Sequence, residues 1–326
     1  MTKRKAFVTG GTGFVGVNVI LELLNQDWDV VALHRASSDL TFIKDLGIEL
    51  VEGSIRDGAS IMSAMPEGID TVFHIAGNTN QWKAKNAEQT LDNVDGTRNV
   101  VDAAVAKKVR RMIVTSSIAS YGLVEGEVTE DTKSNADTSW INYQKSKYLG
   151  ELEAKKGIER GLEVISINPA VIMGPYDIGT WSRMFLMIRD GQLPGCPPGN
   201  TTYTHVEEVA KAHVAAADKG EVGSNYLLGG TNAPMSDMMK IMAELLGKPA
   251  PKVLPGFVFK MVASLQGIKA SITGKEPQMT KEMVYTMTKD VLTHSKKAQA
   301  DLGYQCRPLR EMVEDCYNWM VQEGRI

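Results

Sequence analysis

The run Thr9-Gly10-Gly11-Thr12-Gly13-Phe14-Val15-Gly16 constrains this chain more than any other segment, because it separates two different apolar patterns. Before it, Lys5 to Thr9 (KAFVT) reads as a short strand. After it, Phe14 to Leu24 (FVGVNVILELL) has the spacing of a buried helix, and Asp29 to Leu33 (DVVAL) reads as a second strand. Strand, glycine turn, helix and strand in that order predict a βαβ unit with a right-handed crossover. Glycines at 10, 13 and 16 let backbone amides approach an anion, and the helix N-terminus adds partial positive charge. The expected occupant is a dinucleotide pyrophosphate, held by Gly10, Thr12, Gly13, Phe14, Val15 and Gly16. The run lacks the Gly-Lys-Ser/Thr ending of a nucleoside triphosphate loop.

Further apolar, β-branched runs at Ile48 to Val51, Thr71 to Ile75, Arg111 to Thr115 and Val164 to Asn168 fit parallel strands covered on both faces. The fold class expected is therefore α/β, a Rossmann-type doubly wound parallel sheet with a smaller C-terminal substrate-binding region. Residues 1–173 are expected to form the dinucleotide-binding domain and 174–326 mainly the substrate-binding or lid region, since Pro and Gly rise from about Gly174. A segment at about 201–219 reads as a strand end and amphipathic helix that returns to the first domain.

Charge and rare residues narrow the partners. With 36 Lys+Arg against 39 Asp+Glu the net charge is −3, so no basic field draws the chain to nucleic acid. The five histidines contain no HExxH pair and the cysteines at 196, 306 and 316 are scattered, so neither a metal site nor a disulfide framework is expected. A reduced, cytoplasmic chain is the simplest account, and the N-terminal MTKRKAFVTGG lacks the apolar core of a signal peptide. Val253 to Ile268 is the longest apolar stretch; Pro255, Gly256, Lys260 and Gln266 interrupt it and it falls short of the ~20 residues of a transmembrane span.

Two further clusters point to chemistry. The second strand ends in Leu33-His34-Arg35-Ala36-Ser37-Ser38, where an acidic residue would bind free ribose hydroxyls; Arg35 with Ser37 and Ser38 suits a 2′-phosphate instead, favouring NADPH over NADH. Tyr143 and Lys147 are spaced to share one helix face, and a neighbouring ammonium favours the phenolate of a tyrosine. The strand end Thr115-Ser116-Ser117 lies one βα unit earlier and supplies a candidate hydroxyl.

TGGTGFVG, TSSIASYG, YQKSK and NPAVIMGP together resemble the extended short-chain dehydrogenase/reductase superfamily, and within it the dihydroflavonol-reductase-like branch. The likeness spans nearly the whole chain, since YTHVEEVAKAHVAA and SKKAQADLGYQCRPLREMVEDCYNWM match later family segments. It implies a catalytic Ser117, Tyr143 and Lys147, cofactor contacts from Ile55, Ala76, Pro169 and Val171 beside those already named, a structural Asn93, and a homodimer through a four-helix interface. The implied activity is NADPH-dependent hydride transfer to a ketone or aldehyde, or the reverse oxidation. The rival within the superfamily is a nucleotide-sugar epimerase or dehydratase with tightly bound NAD. Against it stand Ser116-Ser117-Ile118 where dehydratases resemble one another in Thr-Asp-Glu, His34 where epimerases keep an acid, and Thr201 where they keep a diphosphate-binding Arg. A silent cofactor-sensing protein is the rival from another class. The apolar residues of the Pro249 to Thr286 segment are expected to line a hydrophobic substrate pocket, and Met173, Met184 and Met187 either pack or flank it.

Overall fold

Each apolar run read as a strand is one in the structure, a computed structural model that describes residues 3–326. The strands are β1 (Lys5–Thr9), β2 (Asp29–His34), β3 (Glu49–Glu52), β4 (Thr71–His74), β5 (Arg111–Thr115), β6 (Gly126–Val128), β7 (Glu163–Pro169), β8 (Val171–Met173), β9 (Asn200–His205), β10 (Asn225–Leu228), β11 (Thr231–Pro234) and β12 (Val291–Thr293). The helices are α1 (Phe14–Asn25), α2 (Gly58–Ala64), α3 (Asn86–Thr90), α4 (Gly96–Ala106), α5 (Asn142–Lys155), α6 (Ser182–Arg189), α7 (Val206–Lys219), α8 (Met235–Leu245), α9 (Gly256–Thr273), α10 (Lys281–Met287), α11 (Lys296–Leu302) and α12 (Leu309–Gln322).

Seven parallel strands make a Rossmann-type sheet in the order β10-β7-β5-β4-β1-β2-β3. The chain builds outward from β1 through β3, then restarts at β4 on the other side, so the switch point lies where Thr9 is level with His74. Alternation along β1 explains the layers. Ala6 and Val8 face one core with α1 and α7, and Phe7 faces another with α2 and α4, so both faces are covered. All three are fully buried, and burying a side chain the size of Val or Phe contributes roughly 1.5–3 kcal/mol. Val209, Ala212 and Ala216 of α7 pack in one cluster with Val17 and Ile20 of α1. The short β10, absent from the sequence reading because four residues among glycines show no periodicity, extends the sheet beside β7.

A second sheet runs β11-β9-β12-β6, with β8 paired to β9. Met173, Met235, Met238, Met239, Met242, Met312 and Met320 pack there with Phe185, Tyr203 and Trp319, so Met173 is core, and Met184 packs against the same cluster. No helix among the described residues is long and apolar enough to cross a membrane.

Candidate active site

Close approach explains the glycine turn. Gly10 has φ +75°, and a Cβ there would lie 2.5 Å from the amide nitrogen of Ala76, which donates to Thr9 O at 3.0 Å. A Cβ on Gly16 would lie 2.0 Å from Gly10 O, so α1 can seat on the turn only without one. Gly13 precedes α1 without a side-chain cap and no acid occupies the first turn, leaving the N–H groups of Phe14, Val15 and Gly16 for an outside acceptor. Thr12, Phe14 and Val15 are half-buried around this mouth. The cradle therefore fits a diphosphate.

Arg35 stands exposed at the end of β2 in a tight turn, its N–H donating to Ser38 Oγ at 3.0 Å and its carbonyl accepting from Ser38 N at 2.9 Å. Ser37 is exposed beside it, and among the described residues no carboxylate pairs with Arg35. Arg56 and Asp92, which sequence reasoning missed, are paired at 2.6 Å within the field of Arg35. Burial pushes Asp92 up, but the bonds from Arg56 and Asn78 and the two guanidinium charges win and hold it below the ordinary carboxylate range. Ile55 packs over Gly96, where a Cβ would come within 2.9 Å of its Cδ1.

Next to the switch point, His74 is buried with Nδ1 at 2.7 Å from Thr9 Oγ1 and Nε2 at 3.0 Å from Thr97 Oγ1. The Thr97 hydroxyl donates to Asn93 O at 2.8 Å, so Nε2–H donates to Thr97 and Nδ1 accepts from Thr9. Burial, helped by the charge of Lys147, pushes His74 down to about 3, so it is a neutral tie between β1, β4 and α4. Asn93 lies in a π turn at Leu91–Asp95 and grips Asn78 at both N (2.7 Å) and O (3.0 Å). Gly150 of α5 lets that turn approach, since a Cβ there would lie 2.4 Å from Asn93 O.

The candidate catalytic side chains meet at the ends of β5 and α5. Tyr143, Lys147 and Glu151 follow one another at single-turn spacing on one face of α5. The Ser117 side chain lies beside Tyr143, where it opposes the effect of burial on the phenol. Ser117 itself is extended and its Oγ accepts from Ala119 N at 3.1 Å, whereas the Ser116 hydroxyl is buried without a partner. Lys147 Nζ donates to Thr115 O at 3.0 Å. Thr115 is fixed in turn by its hydroxyl donating to His213 Nε2 at 2.7 Å, because the other ring nitrogen donates to Val209 O at 2.7 Å. Burial holds His213 neutral, pushed down to about 4.

Electrostatics correct one expectation. The helical spacing predicts that Lys147 favours a Tyr143 phenolate; burial instead raises Tyr143 above its ordinary value, opposed by the Ser117 side chain, while the ammonium points to Thr115 O. At neutral pH Tyr143 is therefore a phenol, a proton donor. Burial also lowers Lys147 to about 8, and the Glu151 carboxylate opposes that. Glu151, another residue the sequence reading missed, is buried and accepts from Asn168 Nδ2 at 2.5 Å and Asn225 Nδ2 at 2.9 Å. Asn168 also donates to Ser117 O at 3.2 Å, linking the carboxylate to the serine. The available signal was Glu151's place one turn beyond Lys147. Pro169 follows Asn168 at the end of β7, and Val171 opens β8.

The substrate side differs from expectation more. Thr201 lies half-buried in β9, level with Ala233 and Val291, and brings no cation. The apolar segment joins the site through Asn80 Nδ2 to Glu276 Oε1 at 2.6 Å and the edge-on Trp140–Tyr285 pair at 5.7 Å. Four of its large side chains do not line a pocket, however. Phe257, Met261, Leu265 and Ile268 point to solvent, because only Phe259, Ala263 and Ala270 fall on the buried face of α9.

Comparison with known proteins agrees with this geometry. The profile of the NAD dependent epimerase/dehydratase family matches residues 6–229. A Synechocystis sp. protein named "Putative dihydroflavonol 4-reductase" is 28% identical over 98% of this chain and 95% of its own length. Cinnamoyl-CoA reductase 1 of Oryza sativa subsp. japonica is 27% identical over 99% of this chain and 92% of its own length. The crystal structure of gox2253 superposes with a TM-score of 0.84 at 32% identity, covering 99% of this chain and 100% of that one. The chain belongs to the NAD dependent epimerase/dehydratase family, nicotinamide-dependent enzymes of the extended short-chain dehydrogenase/reductase superfamily.

Proposed function

We propose that the protein is an NADPH-dependent reductase that acts on a ketone or aldehyde of a largely apolar small molecule, or runs the reverse alcohol oxidation. The observation that carries this reading is the meeting of Ser117, Tyr143 and Lys147 at the strand ends beside the glycine turn. The bound dinucleotide would supply the hydride. Tyr143 gives its phenol proton to the carbonyl oxygen, a role worth typically 10²–10⁴-fold. Ser117 hydrogen-bonds the same oxygen, and Lys147 holds the nicotinamide ribose and maintains positive charge beside the reacting oxygen. Gly10, Thr12, Gly13, Phe14, Val15 and Gly16 hold the diphosphate. Arg35, Ser37 and Ser38 receive the 2′-phosphate, while Ile55, Ala76, Pro169 and Val171 flank the rings.

Two observations favour an apolar carbonyl compound over a nucleotide sugar. Thr201 offers no cation for a diphosphate, and Ser117-Ile118 offers no acid for eliminating water. The names of the two reductase relatives point the same way. A matched panel of aromatic, steroid-like and fatty ketones and aldehydes against UDP- and dTDP-sugars tests it. NADPH consumption with the apolar carbonyls is expected; redox-neutral conversion of a nucleotide sugar alone would overturn it. We place the enzyme in the cytoplasm on its free cysteines, and as a homodimer through a four-helix interface involving α5, where Leu152 is exposed. A light-scattering mass of one chain would remove the dimer.

A further inference from the structure

α9 carries an apolar stripe that no other described residue covers. Phe257, Met261, Leu265, Ile268 and Ile272 are each 56% to 80% exposed. At about 100° per residue these five fall within roughly 80° of arc, opposite the buried Phe259, Ala263 and Ala270. Their spacing is that of one helix face, so the exposure is a property of the whole stripe rather than of scattered residues.

Charge around the stripe selects its occupant. Lys260 and Lys269 border it on either side, both exposed. From Leu245 to Lys275 the chain holds Lys248, Lys252, Lys260, Lys269 and Lys275 and not one Asp or Glu, within a protein whose net charge is −3. Two copies meeting through this face would set like charges together. An anionic surface would instead pair with the lysines, whose ammonium groups reach outward past an apolar stem. The helix is not apolar enough to cross a bilayer.

We propose that α9 docks the protein onto the surface of an anionic phospholipid bilayer, its stripe entering the headgroup and acyl boundary and Lys260 and Lys269 at phosphate level. This docking does not depend on the reductase reading. Co-sedimentation of the full chain tests it, using phosphatidylcholine vesicles with and without phosphatidylglycerol at low and high salt. Sedimentation with the anionic vesicles, weakened by salt, is expected. A Phe257→Gln/Leu265→Gln/Ile272→Gln variant should lose at least about tenfold in partitioning while keeping its circular dichroism spectrum. Lys260→Glu/Lys269→Glu should lose the preference for anionic lipid. Failure to sediment at low salt would overturn the proposal. So would a folded triple-glutamine variant that binds as well as the wild type, or a dimer abolished by that variant without vesicle binding.

Discussion

The strands of the parallel sheet and helix α9 are both rich in large apolar side chains and use them in opposite ways. Phe7, Val8, Val31 and Ile113 are wholly buried between layers of helices. In α9 Phe257, Met261, Leu265, Ile268 and Ile272 face water and Phe259, Ala263 and Ala270 face the protein. The contrast shows that apolar content alone does not say what a segment packs against. In a strand covered on both faces every position is interior, so composition suffices; in a surface helix, orientation decides, and a neighbouring surface sets it.

The largest effect should come from the region where packing and chemistry coincide. Tyr143→Phe removes the proton donor and is expected to lower carbonyl reduction by about 10²–10⁴-fold with cofactor affinity nearly unchanged, as read by steady-state kinetics and NADPH titration. Near-normal turnover would take Tyr143 out of the chemistry.

Gly16→Ala sets a Cβ against Gly10 O and should destabilise the fold by about 1–3 kcal/mol and weaken dinucleotide binding, measured by denaturant unfolding and titration. Arg35→Asp replaces a cation suited to a 2′-phosphate with an acceptor for ribose hydroxyls. It should move kcat/KM from NADPH toward NADH by roughly tenfold or more. A wild type that already prefers NADH would remove Arg35 from cofactor choice.

A subtler probe is Glu151→Gln. Losing the carboxylate that supports Lys147 lets burial lower it below about 8, so the ammonium is lost at lower pH. The alkaline limb of the pH–rate profile should therefore move to lower pH; an unmoved limb would separate Glu151 from Lys147. The smallest effect belongs to α9. A Cβ on Gly267 would meet no atom within 4 Å, so Gly267→Ala should stabilise the protein by about 0.5–1 kcal/mol, opposite in sign to Gly16→Ala, as read by the same denaturant unfolding.

The same contrast accounts for what can be read from the sequence. The β1 turn, the strand ends and the Tyr143–Lys147 spacing are local patterns, and local patterns are legible. Glu151, Arg56 and Asp92 are not, because their importance comes from partners distant in sequence: Asn168 and Asn225 for the first, each other for the second and third. Tyr143's protonation escapes the sequence for a related reason. The helical spacing places an ammonium one turn away, but only the fold shows that burial raises Tyr143 and that Thr115 O takes the ammonium. The residues of 249–286 suggest pocket lining by their apolar content alone, whereas the periodicity of α9 sends Phe257, Met261, Leu265, Ile268 and Ile272 outward.

The proposed reaction is net hydride transfer to a carbonyl carbon while Tyr143 protonates its oxygen. Its most direct test follows deuterium from C4 of labelled NADPH during turnover of an apolar ketone or aldehyde. One deuterium on the new carbinol carbon is expected for each NADPH consumed, and none with Tyr143→Phe in the same time. Product formed without label or without net NADPH consumption would contradict it.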